Sequence, residues 1–327
     1  MVQSRLRSCR ETAPLFRVGY GFFNLPSVTN ITGCLSVGNY LPSGLTDIQL
    51  PDLEHVGDFQ LSGVKSASLP RLPVVEKSDE IHAPVNGSCH FPSLITVERI
   101  SISGNLSSVA FEALQNASSI TIENRTSDEC LLRNLTTTVV DISFPVLERV
   151  GETHLRGNIS SFSAPELTTI APRGNYDTAM IWVESYEPGL SVDLPKLAFV
   201  NGSVAFEGVI NSVSLPMLRN VTGNFNLQTS SAEPIAIDLA IEYTNEVEVR
   251  GNIDSVALPG LRNYSTIRVY VDDAFDCGGL GEQLNGTVTP PAIHYENFFC
   301  SGAESFSSTW GAVFGAAVIV GFWNIII

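Results

Sequence analysis

The chain has 327 residues, with 18 Lys and Arg against 34 Asp and Glu and a formal net charge of −16. This acidity excludes nucleic acid as a partner and also a basic face that docks on an anionic bilayer, because both need clustered Lys and Arg. Charged residues make up only 16%, and the composition excludes collagen-like, disordered and multi-pass membrane proteins. The length allows two ordinary domains or one elongated repeat domain.

The N-terminal residues 1–26 do not match a secretory signal peptide. Such a peptide needs one basic region followed by about 7 to 15 apolar residues. Here Arg5, Arg7, Arg10 and Arg17 separate short apolar runs. Because the rest of the chain has features of an exported protein, we expect this N-terminal sequence to be incomplete or misassigned.

Sequons for N-glycosylation are dense along the interior of the chain. The motif Asn-x-Ser/Thr occurs eleven times, which favours passage through the secretory pathway. Asn, Ser and Thr also recur in the repeats described below, which raises the number of chance matches. We expect each acceptor on an accessible surface, since a glycan is bulky and solvated. The candidate acceptors are Asn30, Asn86, Asn105, Asn116, Asn124, Asn134, Asn158, Asn201, Asn220, Asn263 and Asn285.

One sequence unit recurs through the middle of the chain. It has a Gly, then a Ser, then an apolar–x–apolar–Pro–x–Leu segment, and in one copy Glu112 replaces the Pro. Segments that alternate apolar and polar residues follow these units, as expected for half-buried strands. The Pro–x–Leu motif recurs about every 20 residues, so the Ser-containing unit marks every second turn. The aligned serines are Ser66, Ser108, Ser161, Ser212 and Ser255.

This periodicity predicts an all-β fold over residues 27–275. We expect a parallel β-helix or leucine-rich-repeat-like solenoid of short strands, with about 20–22 residues per turn. Stacked turns would align Leu, Val and Ile into one continuous core. Pro would occupy a corner, where its missing N–H breaks no ladder hydrogen bond, and Gly would permit the tight backbone of the next corner. Turns this short leave little room for helices.

The cysteine positions predict disulfide bonds in segments outside the regular repeats. Cys277 and Cys300 bracket residues 276–300, which we expect to form a disulfide-linked C-terminal cap in an oxidising compartment. Cys89 and Cys130 are the candidates for a second bridge. The remaining two cysteines, at positions 9 and 34, flank the first turn and their pairing stays open. Without a close Cys pair or a His cluster, we expect neither a metal nor a cofactor.

The C-terminal segment Trp310–Ile327 is apolar to the last residue. A short polar stalk, residues 301–309, precedes it and begins with the small residues Ser301, Gly302 and Ala303. Small residues, a polar spacer and a terminal apolar tail are the pattern for GPI attachment, after which the tail is removed. These three residues are the attachment candidates. A single-pass helix and a buried terminal helix are the alternatives.

Catalytic chemistry has little support in the sequence. Glycoside hydrolysis needs two suitably spaced carboxylates, and Asp272 and Asp273 form the only adjacent Asp pair. We expect this pair to be a solvated strand end and the protein not to be an enzyme. Trp182, Tyr186 and Tyr270 could form an aromatic platform for sugars, although sheet residues of this kind are more often half-buried for packing. The histidines are isolated along the chain at His55, His82, His90, His154 and His294.

The run Val200–Gln228 and the C-terminal end Gly251–Gly302 resemble the fungal GPI-anchored cell-wall organisation proteins. At that end a Leu-Pro-x-Leu turn and a strand are followed by Phe275-Asp276-Cys277 and then by Phe299-Cys300. The resemblance implies leucine-rich repeats similar to the receptor L-domain. It also implies a glycosylated surface protein, held by a GPI anchor in the plasma membrane or the wall and needed for wall architecture.

The leading hypothesis is a GPI-anchored, N-glycosylated cell-surface protein that supports fungal cell-wall organisation by scaffolding or binding, without catalysis. Its partners would be wall polysaccharide or wall proteins, and it would lie on the extracellular face of the plasma membrane or in the cell wall. Two alternatives stay open. Clustered carboxylates on one solenoid face would favour a wall-polysaccharide-active enzyme. A glycan-free apolar or aromatic patch would favour an adhesin or receptor-like ectodomain.

Overall fold

The computed structural model describes residues 22–38, 46–62, 64–75, 81–124, 138–172, 179–271, 275–287 and 297–301. These residues form mostly β-strands, with one helix, α1, at Cys277–Thr287. The strands in chain order are β1 Phe22–Asn24, β2 Asn30–Gly38, β3 Thr46–Gln49, β4 His55–Ser62, β5 Val64–Ser68, β6 Val74–Val75, β7 Ile81–His90, β8 Thr96–Gly104, β9 Ser108–Ala110, β10 Asn116–Asn124, β11 Val140–Ser143, β12 Arg149–Gly157, β13 Ile159–Ser163, β14 Thr169–Ile170, β15 Ala179–Asp193, β16 Phe199–Val200, β17 Gly202–Ser214, β18 Asn220–Val221, β19 Asn224–Thr229, β20 Ile235–Asp238, β21 Glu246–Gly251, β22 Ile253–Ala257, β23 Thr266–Val271 and β24 Phe298–Ser301.

Every strand pairing is parallel, and the strands stack in three rows. The long row holds β2, β4, β8, β10, β12, β19, β21, β23, β24 and the first parts of β7, β15 and β17. The serine row holds β1, β3, β5, β9, β11, β13 and the last parts of β7, β15 and β17, with β20 and β22 as a separate pair. The short row includes β14, β16 and β18. The predicted parallel, solenoid-like all-β fold is confirmed.

The Pro–x–Leu motifs form tight turns between the serine row and the short row. In the first described turn the N–H of Leu53 donates to the carbonyl of Leu50 at 3.3 Å, and both side chains are fully buried. The Pro lies second in the turn, where its fixed φ is favoured and its missing N–H costs no hydrogen bond. The same bond closes the turn from Ala164 to Leu167 at 3.2 Å. Each motif therefore delivers two apolar anchors to the core.

Glycines form the corner between the long row and the serine row. Gly157, Gly208 and Gly251 end long-row strands with φ of +123°, +101° and +110°, a backbone region that side chains disfavour. A Cβ at Gly208 would lie 1.9 Å from the carbonyl oxygen of Ser185 on the preceding turn. Close stacking of successive turns thus requires glycine here, as the sequence predicted.

The regular turns have the predicted length. Thr96 pairs with Asn116, 20 residues further on, and Phe225 pairs with Val247, 22 residues further on. Longer turns include residues outside the described ranges. Asn116 pairs with Arg149 across a turn that includes residues 125–137.

The core is a continuous apolar column inside the rows. Each stacked turn adds Leu, Ile or Val side chains from the long row and the turn anchors, and nearly all are less than 2% exposed. At the first turn position Phe91, Phe111 and Phe144 stack with ring centroids 5.4 and 5.9 Å apart. One turn alone could not bury its apolar face, so stacking supplies the core.

Helix α1 packs at the C-terminal end of the stack. Leu280 and Leu284 of the helix are buried with Phe275 in the core cluster. A disulfide joins Cys277 at the start of the helix to Cys300 in β24. The predicted staple of this region is therefore present. Among the described residues, no helix is both long enough and apolar enough to cross a membrane.

Candidate functional site: the outward face of the long row

The alternate residues of the long row that point away from the core form a continuous outward face. Parallel register places three outward residues of each strand side by side with those of its neighbours. The middle line of this face is formed by Ser101, Thr121, His154, Trp182, Ala205, Asn226, Glu248 and Arg268.

His154 and Trp182 form a ring pair at the centre of the face. They are direct neighbours in β12 and β15, and their ring centroids lie 4.0 Å apart at an interplanar angle of 52°. Both residues are half-buried. The sequence predicted an isolated histidine, but register brings it against the indole, which it supports from one side.

Arg156 joins the neighbouring groups of this cluster. Its Nε lies 2.9 Å from a carboxylate oxygen of Glu184 and donates to the hydroxyl of Tyr186 at 2.6 Å. The hydrogen bond with Tyr186, helped by the charge of Glu184, raises the pKa of Arg156 above its ordinary value. Burial raises the pKa of Tyr186. The cluster thus places paired charges beside an aromatic ring.

A shallow slot lies on the other side of Trp182. The next strand, β17, places Ala205 directly beside Trp182, and β19 then places Asn226 beside Ala205. The small, half-buried side chain of Ala205 therefore separates Trp182 from Asn226, whose backbones lie two strand spacings or about 10 Å apart. The amide oxygen of Asn226 is buried. Ser203 and Glu207 lie at the two ends of this Trp182 slot.

A second cluster lies further along the same face, on β21 and β23. Arg268 pairs with Glu246 and lies 4.0 Å from Glu248. Arg250 also pairs with Glu248, and its guanidinium lies 4.5 Å from the ring centroid of Tyr270. The charges of this cluster are compensated within the protein.

The three predicted platform aromatics do not form one platform. Trp182 and Tyr186 both lie on β15, but Tyr270 lies on β23, four strand spacings or about 19 Å away. Tyr270 instead contacts Phe299 of β24, with ring centroids 5.3 Å apart. Their positions in the sequence could not reveal this separation, because the distance between two strands depends on the order in which the strands stack.

Sequence reasoning missed two carboxylates on this face. Glu184 and Glu207 are direct neighbours on β15 and β17, next to the Trp182 slot. They lie 23 residues apart in the chain, so no local motif joins them. Alignment of the corner residue Ser185 of β15 with the corner glycine Gly208 of β17 would have found the pair.

The predicted catalytic candidates gain no site from the structure. Asp272 and Asp273 lie outside the described residues, as does His294. His90 lies on the serine row, 3.5 Å from a carboxylate oxygen of Glu112. Within the described ranges, no group of three or more His, Cys, Asp and Glu could hold a metal ion.

Several sequon asparagines share one ridge. Register aligns Asn30 with His55, and it aligns Asn116, Asn220 and Asn263 at the corresponding position of later turns, in the column that contains the first residues of the short-row strands β14, β16 and β18. Asn30 and Asn263 are exposed, and Asn116 and Asn220 are half-buried. These acceptors lie beside the outward face, not on it.

The other sequons differ in accessibility. Asn201 is exposed, and Asn105 is half-buried just after a corner glycine. Asn134 lies outside the described residues, as do the side chains of Asn86 and Asn285.

Two predicted acceptors are buried, and the expectation of an accessible acceptor is wrong for them. Asn124 is 2% exposed, and its side-chain N–H groups donate to the carbonyls of Thr138 at 2.8 Å and Asn158 at 3.1 Å. Its amide oxygen accepts from the N–H of Leu106 at 3.0 Å. Asn158 is 8% exposed. A glycan on the Asn124 amide nitrogen has no space in this fold, because that nitrogen points into the protein.

The second predicted bridge is not present in the structure. Cys89 is a free, fully buried thiol, and burial raises its pKa to about 12. Its side chain belongs to the buried core cluster. Cys130, Cys9 and the attachment candidates Gly302 and Ala303 lie outside the described residues, and Ser301 ends β24.

The chain is similar to Protein ecm33 of Aspergillus fumigatus, with 30% identity over 246 residues. The match covers 63% of this chain and 59% of that protein, so the chain spans about three fifths of the relative's length. No family model matches the chain, and no solved structure matches it.

Proposed function

We propose that this protein is a GPI-anchored, N-glycosylated cell-surface protein that supports fungal cell-wall organisation by scaffolding or binding, without catalysis. The similarity to Protein ecm33 of Aspergillus fumigatus supports the fungal, wall-related part of this proposal. The C-terminal small residues, spacer and apolar tail support the anchor. The protein would lie on the extracellular face of the plasma membrane or in the wall.

One structural observation supports binding most directly. The outward face of the long row has an aromatic and amide surface at its centre, and none of its described residues is a sequon asparagine. Acceptors lie on the ridge beside it, so glycans there would leave the face open. Wall polysaccharide or a wall protein is the proposed partner of this face.

The anchor and the glycans are tested on intact cells of the native host. The full chain, with an internal epitope tag, is treated with a phosphatidylinositol-specific phospholipase, and the released protein is compared before and after N-glycan removal. We expect release from the cells and a large loss of mass. The matched control lacks residues 310–327 and should enter the medium without phospholipase treatment. Protein that stays inside the cell and has no glycan would overturn the proposal.

A second candidate function rests on one observation, the side-by-side position of Glu184 and Glu207 at the Trp182 slot. Retaining glycosidases use two carboxyl groups that lie about 5 Å apart. Incubation of the purified chain with linear wall glucans, followed by measurement of new reducing ends, separates the two functions. The binding proposal expects no new ends from the native chain or from Glu207→Gln. Hydrolysis that is lost in Glu207→Gln would favour the enzyme.

A further inference from the structure

We propose that the Trp182 slot binds one ring of a neutral polysaccharide whose neighbouring units lie along the outward face of the long row. This inference rests on the proposed function, since it assumes that the protein meets wall polysaccharide, and it names the class of ligand and the residues that hold it.

The indole of Trp182 is the first part of the site. His154 packs against it at 4.0 Å from the β12 side, which fixes the ring in one orientation. On the β17 side its neighbour is only a methyl group, Ala205. A sugar ring that presents its C–H groups to an aromatic face gains dispersion and desolvation energy there. An immobilised ring also loses less side-chain entropy when the ligand binds.

The polar groups around the slot suit hydroxyl groups. β19 presents three amide side chains, Asn224, Asn226 and Gln228, on its outward side. Asn224 already donates to Glu246 and accepts from Asn245, and the amide oxygen of Asn226 is buried, so the exposed amide of Gln228 is the one that can both donate to and accept from a ligand. β17 adds the Glu207 carboxylate at one end of the slot and the Ser203 hydroxyl at the other, where the hydroxyl oxygen already accepts from the N–H of Asn224. Amides offer both donors and acceptors, so they can bind sugar hydroxyls in either role. An apolar floor, one aromatic wall and convergent polar groups together describe a carbohydrate site.

The charges of the face select a neutral ligand. Arg156 is engaged by Glu184, and Arg268 is engaged by Glu246. Because these two cations are ion-paired within the protein and Glu207 adds a negative charge at the slot, a polyanion would be repelled there. An anionic sugar polymer is therefore a poor partner, and uncharged glucose or N-acetylglucosamine polymers fit.

The surroundings of the slot leave space for a polymer. The sequon asparagines Asn116, Asn220 and Asn263 occupy the ridge beside the outward face, and Asn105 and Asn158 follow the opposite glycine corner. Asn201, an exposed acceptor, lies nearer to the slot, two residues before Ser203. None of the described outward residues of the long row itself is an acceptor, so a long unbranched chain could lie across successive strands.

Calorimetric titration of the purified full chain in detergent tests the site. The probes are a linear β-glucan oligosaccharide, a chitin oligosaccharide and polygalacturonate as the anionic polymer. We expect one of the neutral probes to bind and polygalacturonate not to bind. Trp182→Ala should weaken the binding at least about tenfold, which corresponds to about 1.4 kcal/mol. Trp182→Phe should retain most of it.

Two variants separate loss of the site from loss of the fold. Ala205→Leu leaves the indole in place and fills the slot, so we expect the same loss of binding with an unchanged unfolding temperature. Tyr243→Ala removes an exposed aromatic side chain on the ridge and should bind as the native chain does. Equal binding by native chain, Trp182→Ala and Ala205→Leu would overturn the site, and so would absence of binding to both neutral probes.

Failure of this inference can be told apart from failure of the proposed function. The phospholipase assay on cells that express Ala205→Leu reports surface anchoring without any sugar ligand. Anchored, glycosylated protein with no binding of neutral oligosaccharide refutes the slot alone. Protein that is neither anchored nor glycosylated refutes the proposed function, whereas neutral-probe binding that Ala205→Leu abolishes supports the slot in either case.

Discussion

Asn124 is a buried polar residue whose side chain supplies hydrogen bonds to the backbone. It lies at the inner corner where β10 ends, and its amide reaches the backbone of three segments, at Leu106, Thr138 and Asn158. At the corner these backbone groups hydrogen-bond to the Asn124 side chain. If they were buried without hydrogen-bond partners, the folded state would lose stability. The same side chain reads as a sequon in the sequence, so its structural role and its motif conflict.

Replacement of Asn124 by Ala should therefore destabilise the protein. The variant leaves the Leu106 N–H without its acceptor and two carbonyls without their donor, and we expect a loss of about 3 kcal/mol of unfolding free energy. Thr126→Ala destroys the sequon but keeps the amide, so it should change neither stability nor glycan mass. The measurements are urea unfolding and mass before and after deglycosylation.

Asn201→Gln supplies the matched control for the glycan measurement, because Asn201 is an exposed acceptor. This variant should lose the mass of one glycan if its site is occupied. A mass decrease in Thr126→Ala would contradict the buried position of Asn124 in the folded protein. Equal stability of Asn124→Ala and the native chain would show that the corner does not depend on the amide.

At the scale of the strand, the corner of the long row alternates between glycine and an inward polar residue. Neighbouring strands end in turn with a glycine of positive φ and with a buried Asn, Ser or Thr. Ser185 donates to the carbonyl of Ile159 at 2.8 Å, and Thr229 donates to that of Ile210 at 3.3 Å. The alternating series is Gly104, Asn124, Gly157, Ser185, Gly208, Thr229 and Gly251.

This alternation explains why the sequence repeat spans two turns. A glycine lets the backbone of the next turn approach closely, and the polar residue on that turn satisfies the backbone groups that the corner exposes. The Gly-to-Ser unit could be found from the sequence because it recurs with a Pro–x–Leu turn. The buried polar residues of the alternate turns could not be found in this way, because Asn, Ser and Thr are common in this chain. Only burial distinguishes these three positions.

Gly208→Ala tests the corner. A Cβ there would lie 1.9 Å from the Ser185 carbonyl oxygen, and the φ of +101° disfavours any side chain, so we expect a loss of about 3 kcal/mol or more. Gly286→Ala is the control, since its Cβ would meet nothing within 4 Å in helix α1. That change should stay within about 1 kcal/mol of the native chain. The midpoint of urea unfolding measures both, and equal midpoints would refute the requirement for glycine.

The strand pattern, the turns and the C-terminal staple could be predicted because they depend on local chemistry. The Trp182 slot could not. Ala205 is unremarkable in its own strand, and it becomes the floor of a slot only because register places Trp182 on one side and Asn226 on the other. Register across the longer turns is set by three-dimensional stacking, and the sequence period alone does not give it.

At the scale of the whole molecule, the stack is held by contacts between neighbouring turns. Each turn packs on the turn before and the turn after it, so stability should vary along the axis and be lowest near the ends. At the C-terminal end, helix α1 covers the last core residues, and β24 pairs only with β23 among the described strands. The Cys277–Cys300 bond is the covalent link between that helix and that strand.

Loss of this disulfide should lower the local stability of the C-terminal end of the stack and leave that of the middle strands unchanged. The bond closes a loop with a sequence separation of 23 residues, so its removal in the double variant Cys277→Ser, Cys300→Ser should cost about 3 kcal/mol locally. Amide hydrogen exchange should accelerate in β23, β24 and α1 and remain unchanged in β8, β10 and β12, because nearest-neighbour coupling weakens with each turn. Equal acceleration in all of these strands would instead mean that the stack opens as one cooperative unit and that the end has no separate cap.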